Sequence, residues 1–225
     1  VIPFLEKQYK QENTNTIIQF AVLRALTNQK SREGYNTIMS LLEYDLPLSD
    51  NSFELTMLFN YFEADLENSE VLFPDVLQFY SIPEYHQPIV SFIAILLDSE
   101  LIKPKKLKSY TKMITTNARL ELKRVKSRQD KQEIKDPDEY YYGSTMQTND
   151  LVSYIGLLYP FRNDKDVKQF FDNVKKLNLN ETNLEIARLN IINGNISEQE
   201  VSKLLKNSQT RFVIYNMLYK KHPAM

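Results

Sequence analysis

Asn15-Thr16-Ile17-Ile18-Gln19-Phe20-Ala21-Val22-Leu23-Arg24-Ala25-Leu26-Thr27 places eight aliphatic or aromatic side chains in thirteen positions. They fall on every side of a 3.6-residue period, so the stretch predicts a helix that is apolar nearly all round and must be covered on several sides. Asn28-Gln29-Lys30 breaks the pattern, and Ser31 has the chemistry of an N-cap. Tyr35, Ile38, Met39 and Leu42 then mark one face of a second helix. The two form a helical hairpin.

The same design returns downstream. Leu184, Ile186, Ala187, Leu189, Ile191 and Ile192 make another nearly all-apolar helix, Asn193-Gly194-Asn195 turns the chain, and Ser197-Glu198-Gln199-Glu200 is a capping box. It opens a helix with Val201, Leu204 and Leu205. The hairpins align without a gap at an offset of 166 residues: Ile18 on Leu184, Phe20 on Ile186, Leu23 on Leu189, Ser31 on Ser197, Tyr35 on Val201. That offset is four units of roughly 41 residues.

Elsewhere helical periodicity prevails and strand alternation is nearly absent. Leu55, Leu58, Phe59 and Phe62 mark one helix. A short one follows Pro74 with Val76, Leu77 and Phe79. A third, from about Glu84 to Asp98, has Pro83 and Pro88 at its entry. A long helix is expected from Pro104 to about Arg128, then a polar loop over 130–149 containing Asp136-Pro137-Asp138 and Gly143. Leu151 to Leu158, Val167 to Val174, the second hairpin and a last helix with Phe212, Tyr215, Leu218 and Tyr219 complete the chain. The expected organisation is an all-α, irregular HEAT-like array (α-solenoid) of nine to eleven helices. It comprises an N-terminal part over 1–129, the loop over 130–149, and C-terminal hairpins over 150–225 packing on the same array.

Hairpins of this design, over residues 15–42 and 182–206, resemble HEAT-like repeats. Leu41-Leu42-Glu43-Tyr44-Asp45-Leu46-Pro47-Leu48-Ser49, Val71-Leu72-Phe73-Pro74-Asp75 and Leu97-Asp98-Ser99-Glu100-Leu101-Ile102-Lys103-Pro104 look like the helical region attached to TraB/GumN-type domains of Bacteroidetes-like bacteria. That resemblance implies the non-catalytic part of a metal-dependent hydrolase, in the periplasm or cell envelope; without it the compartment is cytoplasmic. The family's Gly-x-x-His motif is absent, because none of the four glycines has a His three residues on.

Composition narrows the chemistry. The 225 residues include 4 Gly, no Cys, no Trp and 2 His, which removes glycine-rich phosphate loops, disulfides and thiol catalysis. The best candidate for a charge-free apolar run, Gln87 to Leu97, is too short to cross a bilayer. The opening Val1-Ile2-Pro3-Phe4-Leu5 lacks an initiator Met and is already amphipathic, so the chain reads as part of something longer. The sequons at Asn180 and Asn195 are what an Asn-rich composition produces by chance. His86 has only Glu84 as a neighbouring acid and His222 lies far away, so no metal site is expected. Asp136, Asp138 and Glu139 begin like a calcium loop, but Tyr140 stands where an oxygen ligand belongs. No serine-hydrolase, zinc-protease or nucleotide motif occurs, and neither catalytic residues nor a cofactor are expected.

The charges are segregated. Glu43 to Ile102 holds twelve acids and no Lys or Arg; Lys103 to Lys131 holds eleven basic residues against Glu121 and Asp130. Lys105, Lys108, Lys112, Arg119, Lys123 and Lys126 share one face of the expected long helix. Leu107, Tyr110, Ile114, Ala118, Leu122 and Val125 form its buried stripe. The basic ridge is either a docking face for an anionic partner or a solvated outer face partly neutralised by the acidic helices before it. The second reading prevails here, since nucleic-acid binders interleave aromatics and this ridge has none. Tyr140, Tyr141 and Tyr142 are a second candidate anchor for a partner. The sequence thus points to a non-catalytic scaffold or protein-binding module, whose partner is another protein or another domain of a parent chain. Two alternatives stand beside it: an accessory domain of a TraB/GumN-like hydrolase, and an anion-binding or nucleic-acid-binding helix ridge.

Overall fold

A computed structural model describes residues 1–11, 15–48, 52–131, 145–206 and 208–221. It is all-α, with no strand among the described residues. The α-helices are α1 (Ile2–Gln11), α2 (Thr16–Thr27), α3 (Arg32–Tyr44), α4 (Ser52–Glu63), α5 (Leu66–Ser69), α6 (Pro83–Asp98), α7 (Thr111–Asp130), α8 (Thr145–Leu158), α9 (Lys165–Leu177), α10 (Asn180–Ile192), α11 (Glu198–Lys206) and α12 (Ser208–Lys221). Among the described residues these are twelve, against nine to eleven expected: α1 and the single-turn α5 were not set out as helices in the sequence, while the short element after Pro74 is a 3-10 turn, Asp75–Phe79. The chain divides into two compact units, Val1–Leu107 and Lys108–Met225. The long basic helix therefore packs with the C-terminal helices, although its sequence position had placed it with the N-terminal ones. Only the interior contacts of α7, with α8 and α9, reveal that allegiance.

In the first unit α1, α2 and α3 touch one another, α4 packs on α2 and α6 packs on α4, while α3 also meets α5 and the 3-10 turn Glu70–Leu72. Helices thus touch next-but-one neighbours as well as adjacent ones. The core is aromatic: Phe59 contacts Phe62 (5.0 Å between ring centroids) and Phe92 (6.0 Å), and Tyr35 meets Phe62 edge-on at 5.9 Å. All four rings are buried, and edge-to-face geometry adds roughly 0.5–1.5 kcal/mol per pair beyond the buried area. Phe20 is buried as expected, but Ile17 and Ala21 on the same helix are exposed, so α2 is covered on three sides only. Pro88 lies inside α6 at its sixth residue, where the missing N–H interrupts only the first turns of the helix.

The second unit repeats the alternation. Helix α7 packs on α8 and α9, α10 on α8, α9 and α12, and α12 on α11. Ile186 is buried. The last helix corrects its sequence reading: Ile214 is buried and Leu218 half-buried, whereas Phe212 and Tyr215 are 74% and 59% exposed. Periodicity misplaced this face because Phe212, Val213, Ile214, Tyr215 and Leu218 leave the helix apolar nearly all round.

The expected caps are present. Ser31 Oγ accepts from the Gly34 N–H at 3.1 Å. At the second hairpin, Glu200 N–H donates to Ser197 Oγ (3.3 Å) while Ser197 N–H donates to Glu200 Oε2 (2.9 Å), a closed capping box.

Candidate functional site

The basic run does not begin as an α-helix. Pro104–Tyr110 is a 3-10 turn, and α-helical spacing holds only from Thr111. Lys105 and Lys108 therefore share a face with each other, three residues apart, but not by the α-helical register that would continue to Lys112. Lys105 is exposed and falls on the first unit's side of the boundary. Of the expected stripe, Ile114, Ala118, Leu122 and Val125 are buried along α7, while in the 3-10 turn Leu107 is buried and Tyr110 half-buried.

Two ridge cations are occupied within the second unit. Lys108 Nζ lies 2.7 Å from Asp164 Oδ2 and 5.5 Å from the centre of the Phe161 ring. Arg119 donates to the Asp166 backbone oxygen (3.0 Å) and to Gln169 Oε1 (3.1 Å), with its guanidinium 3.6 Å from the Asp166 carboxylate. Asp164 occupies the N-cap position of α9 without a side-chain capping bond, and Asp166 sits in its first turn, where a negative charge complements the helix dipole. Folding brings Asp164 to Lys108 and Asp166 to Arg119 from about fifty residues downstream in the sequence. Arg124 is held by Glu121 (2.9 Å) and Asp150 (3.4 Å). These pairs are half-exposed, so each stabilises by about 0–1 kcal/mol. Lys112, Lys123 and Lys126 are exposed. Leu120, 58% exposed, lies among them. Tyr140, Tyr141 and Tyr142 fall outside the described residues, as does His222.

His86 lies half-buried near the start of α6, its ring 4.3 Å from that of Tyr80. Burial lowers its pKa and favours the neutral imidazole. Among the described residues no three His, Cys, Asp or Glu side chains converge on one point.

One polar cluster was invisible in the sequence. The extended segment after α3 is tied down from three helices: Tyr9 Oη donates to the Asp45 carbonyl, Gln19 Nε2 to Asp45 Oδ2 at 2.7 Å, and Tyr85 Oη to the Pro47 carbonyl at 2.8 Å. Burial pushes both phenols well above their ordinary range, with Asp45 adding to the effect on Tyr9 and the neighbouring Tyr9 and Glu84 adding to that on Tyr85. They stay protonated and act as donors. Tyr35 is raised likewise, by burial and then by Asp65. Burial also raises Glu63, which accepts from Ser91 Oγ at 3.3 Å. The one local sign of the strap is Pro47, which biases the residue before it to extended backbone.

No protein-family model matches the sequence, and neither a curated protein nor a solved structure is similar to it.

Proposed function

We propose that the chain is a HEAT-like helical array that works as a scaffold, presenting exposed helix faces to another protein or to another domain of a parent chain. The observation that carries this is how four of the groups with shifted pKa are used. Tyr9, Tyr85, Glu63 and Glu200 each spend their polar atoms on a strap, a neighbouring helix or a cap. Groups committed in this way hold elements in place rather than meet a substrate. The next-but-one packing within each unit supports the array, because stacked hairpins bury a continuous core while leaving outer faces for partners. On this reading an accessory role beside a hydrolase would be the same scaffolding carried out within a longer chain.

The basic face of α7 is the surface to test. Photo-crosslinking residues placed at positions 112 and 123 should trap a protein in the native cell, while the same label at buried position 118 traps none. Stoichiometric nucleic acid at 112 and 123 would favour the anion-binding reading instead. With Lys108 and Arg119 engaged by α9, a polyanion meeting Lys112 and Lys123 would show a log-log salt slope of only about −2.

A further inference from the structure

We propose that Asn193 is a site of spontaneous succinimide formation, and that its isoaspartyl product loosens the α10–α11 hairpin. Asn193-Gly194 is the single Asn-Gly pair of the chain. It sits in the turn after α10, with Asn193, Gly194 and Asn195 all exposed. Gly194 has φ +67°, and nothing lies within 4 Å of where a Cβ would stand. No side chain therefore obstructs approach of the Gly194 nitrogen to the Asn193 side-chain carbonyl carbon.

The step balances with water as its only co-reactant. The Gly194 nitrogen loses its proton and bonds to Cγ of Asn193, and Nδ2 leaves as ammonia. One water then opens the five-membered imide to aspartate or isoaspartate. Both atoms consumed are part of the end of α10: Gly194 N–H donates to the Ile191 carbonyl at 3.2 Å, and Asn193 Nδ2 to the Leu189 carbonyl at 2.8 Å. These bonds hold the reactive atoms in the closed turn, where Asn193 has ψ 3°, so reaction proceeds when the turn frays. Once it has occurred, the donor to Leu189 is replaced by a carboxylate at the negative end of a helix. Glu198 and Glu200 lie a few residues on, and the isoaspartyl form lengthens the turn backbone by one carbon. The hairpin has little to resist this, because α11 contributes no buried residue.

The same tryptic peptide, Leu189 to Lys203, supplies internal controls. Asn190 and Asn195 are both followed by isoleucine, whose branched Cβ crowds the attack. Asn190 also accepts from Tyr159 Oη at 2.6 Å. On ageing the intact chain at mildly alkaline pH, mass spectrometry with isoaspartyl detection should show Asn193 converting on the order of tenfold or more faster than either, because glycine alone lacks a Cβ. No conversion at Asn193, or equal rates at the three, overturns the site. Hydrogen exchange on aged chain should quicken over 194–206 and stay unchanged over 16–44. Unchanged exchange over 194–206 overturns the loosening. So would equal loosening in aged Asn193→Gln, whose side chain would need a six-membered imide.

Discussion

The hairpins α2–α3 and α10–α11 share spacing, an apolar first helix and an N-cap serine, yet they are closed by different physics. At the position three residues after the cap, the first has Gly34 and the second Glu200. A Cβ on Gly34 would stand 2.9 Å from the Leu26 carbonyl oxygen, so α3 enters hard against the end of α2 and the contact depends on the missing side chain. In the second hairpin the same position reaches back to the cap through a carboxylate, and the helix it opens has only half-buried Val201, Leu204 and Leu205. Tyr35 and Val201 are aligned, but Tyr35 is fully buried against Phe62. The first hairpin rests on deep packing, and the second joins shallower packing to a charged capping box.

The largest test of that difference is a pair of truncations. Phe20→Ala should cost about 3–5 kcal/mol, because a ring 1% exposed and covered by neighbouring helices leaves a cavity that α2 cannot close. Ile186→Ala should fall toward about 2 kcal/mol, the site being 9% exposed. Urea unfolding of both variants measures the gap, and equal losses would erase the distinction. Gly34→Ala comes next. Overpacking against a backbone carbonyl costs about 1–3 kcal/mol, offset by up to about 1 kcal/mol of helix propensity. A net destabilisation is expected, and a stabilised Gly34→Ala would show that α3 can shift freely. Ser31→Ala removes one cap hydrogen bond and should cost about 1 kcal/mol, readable as a shift in the same unfolding midpoint.

The helices and both hairpin registers were legible because periodicity and caps are local properties. Ser31, Ser197 and Glu200 do what their spacing implies. Burial depth was not legible. Ile17 and Phe212 read as core yet face solvent, since a helix apolar on all sides gives periodicity nothing to select. The ridge was legible as a face from Thr111 onward, but its partners Asp164 and Asp166 were not, because sequence adjacency favoured the nearer acids. The strap at Asp45–Pro47 was equally hidden, as Tyr9, Gln19 and Tyr85 come from three separate helices and no spacing rule links them.

Acid gives the smallest and most selective contrast. Glu200 has its pKa lowered first by the Ser197 backbone N–H, then by the Ser197 hydroxyl, so its folded value lies below its unfolded one. The stabilisation it contributes is therefore complete above the ordinary glutamate pKa and disappears as pH falls through the folded value. The cap of the first hairpin is the neutral pair Ser31 and Gly34, which has nothing to titrate. Between neutrality and the acid side of the glutamate range, amide exchange in the first turn of α11 should quicken more than that of α3. Glu200→Gln, which can still accept through its side-chain oxygen, should remove this pH dependence and leave the cap in place. If α3 and α11 respond alike, general acid loosening governs both hairpins, and the capping box is not what distinguishes the second.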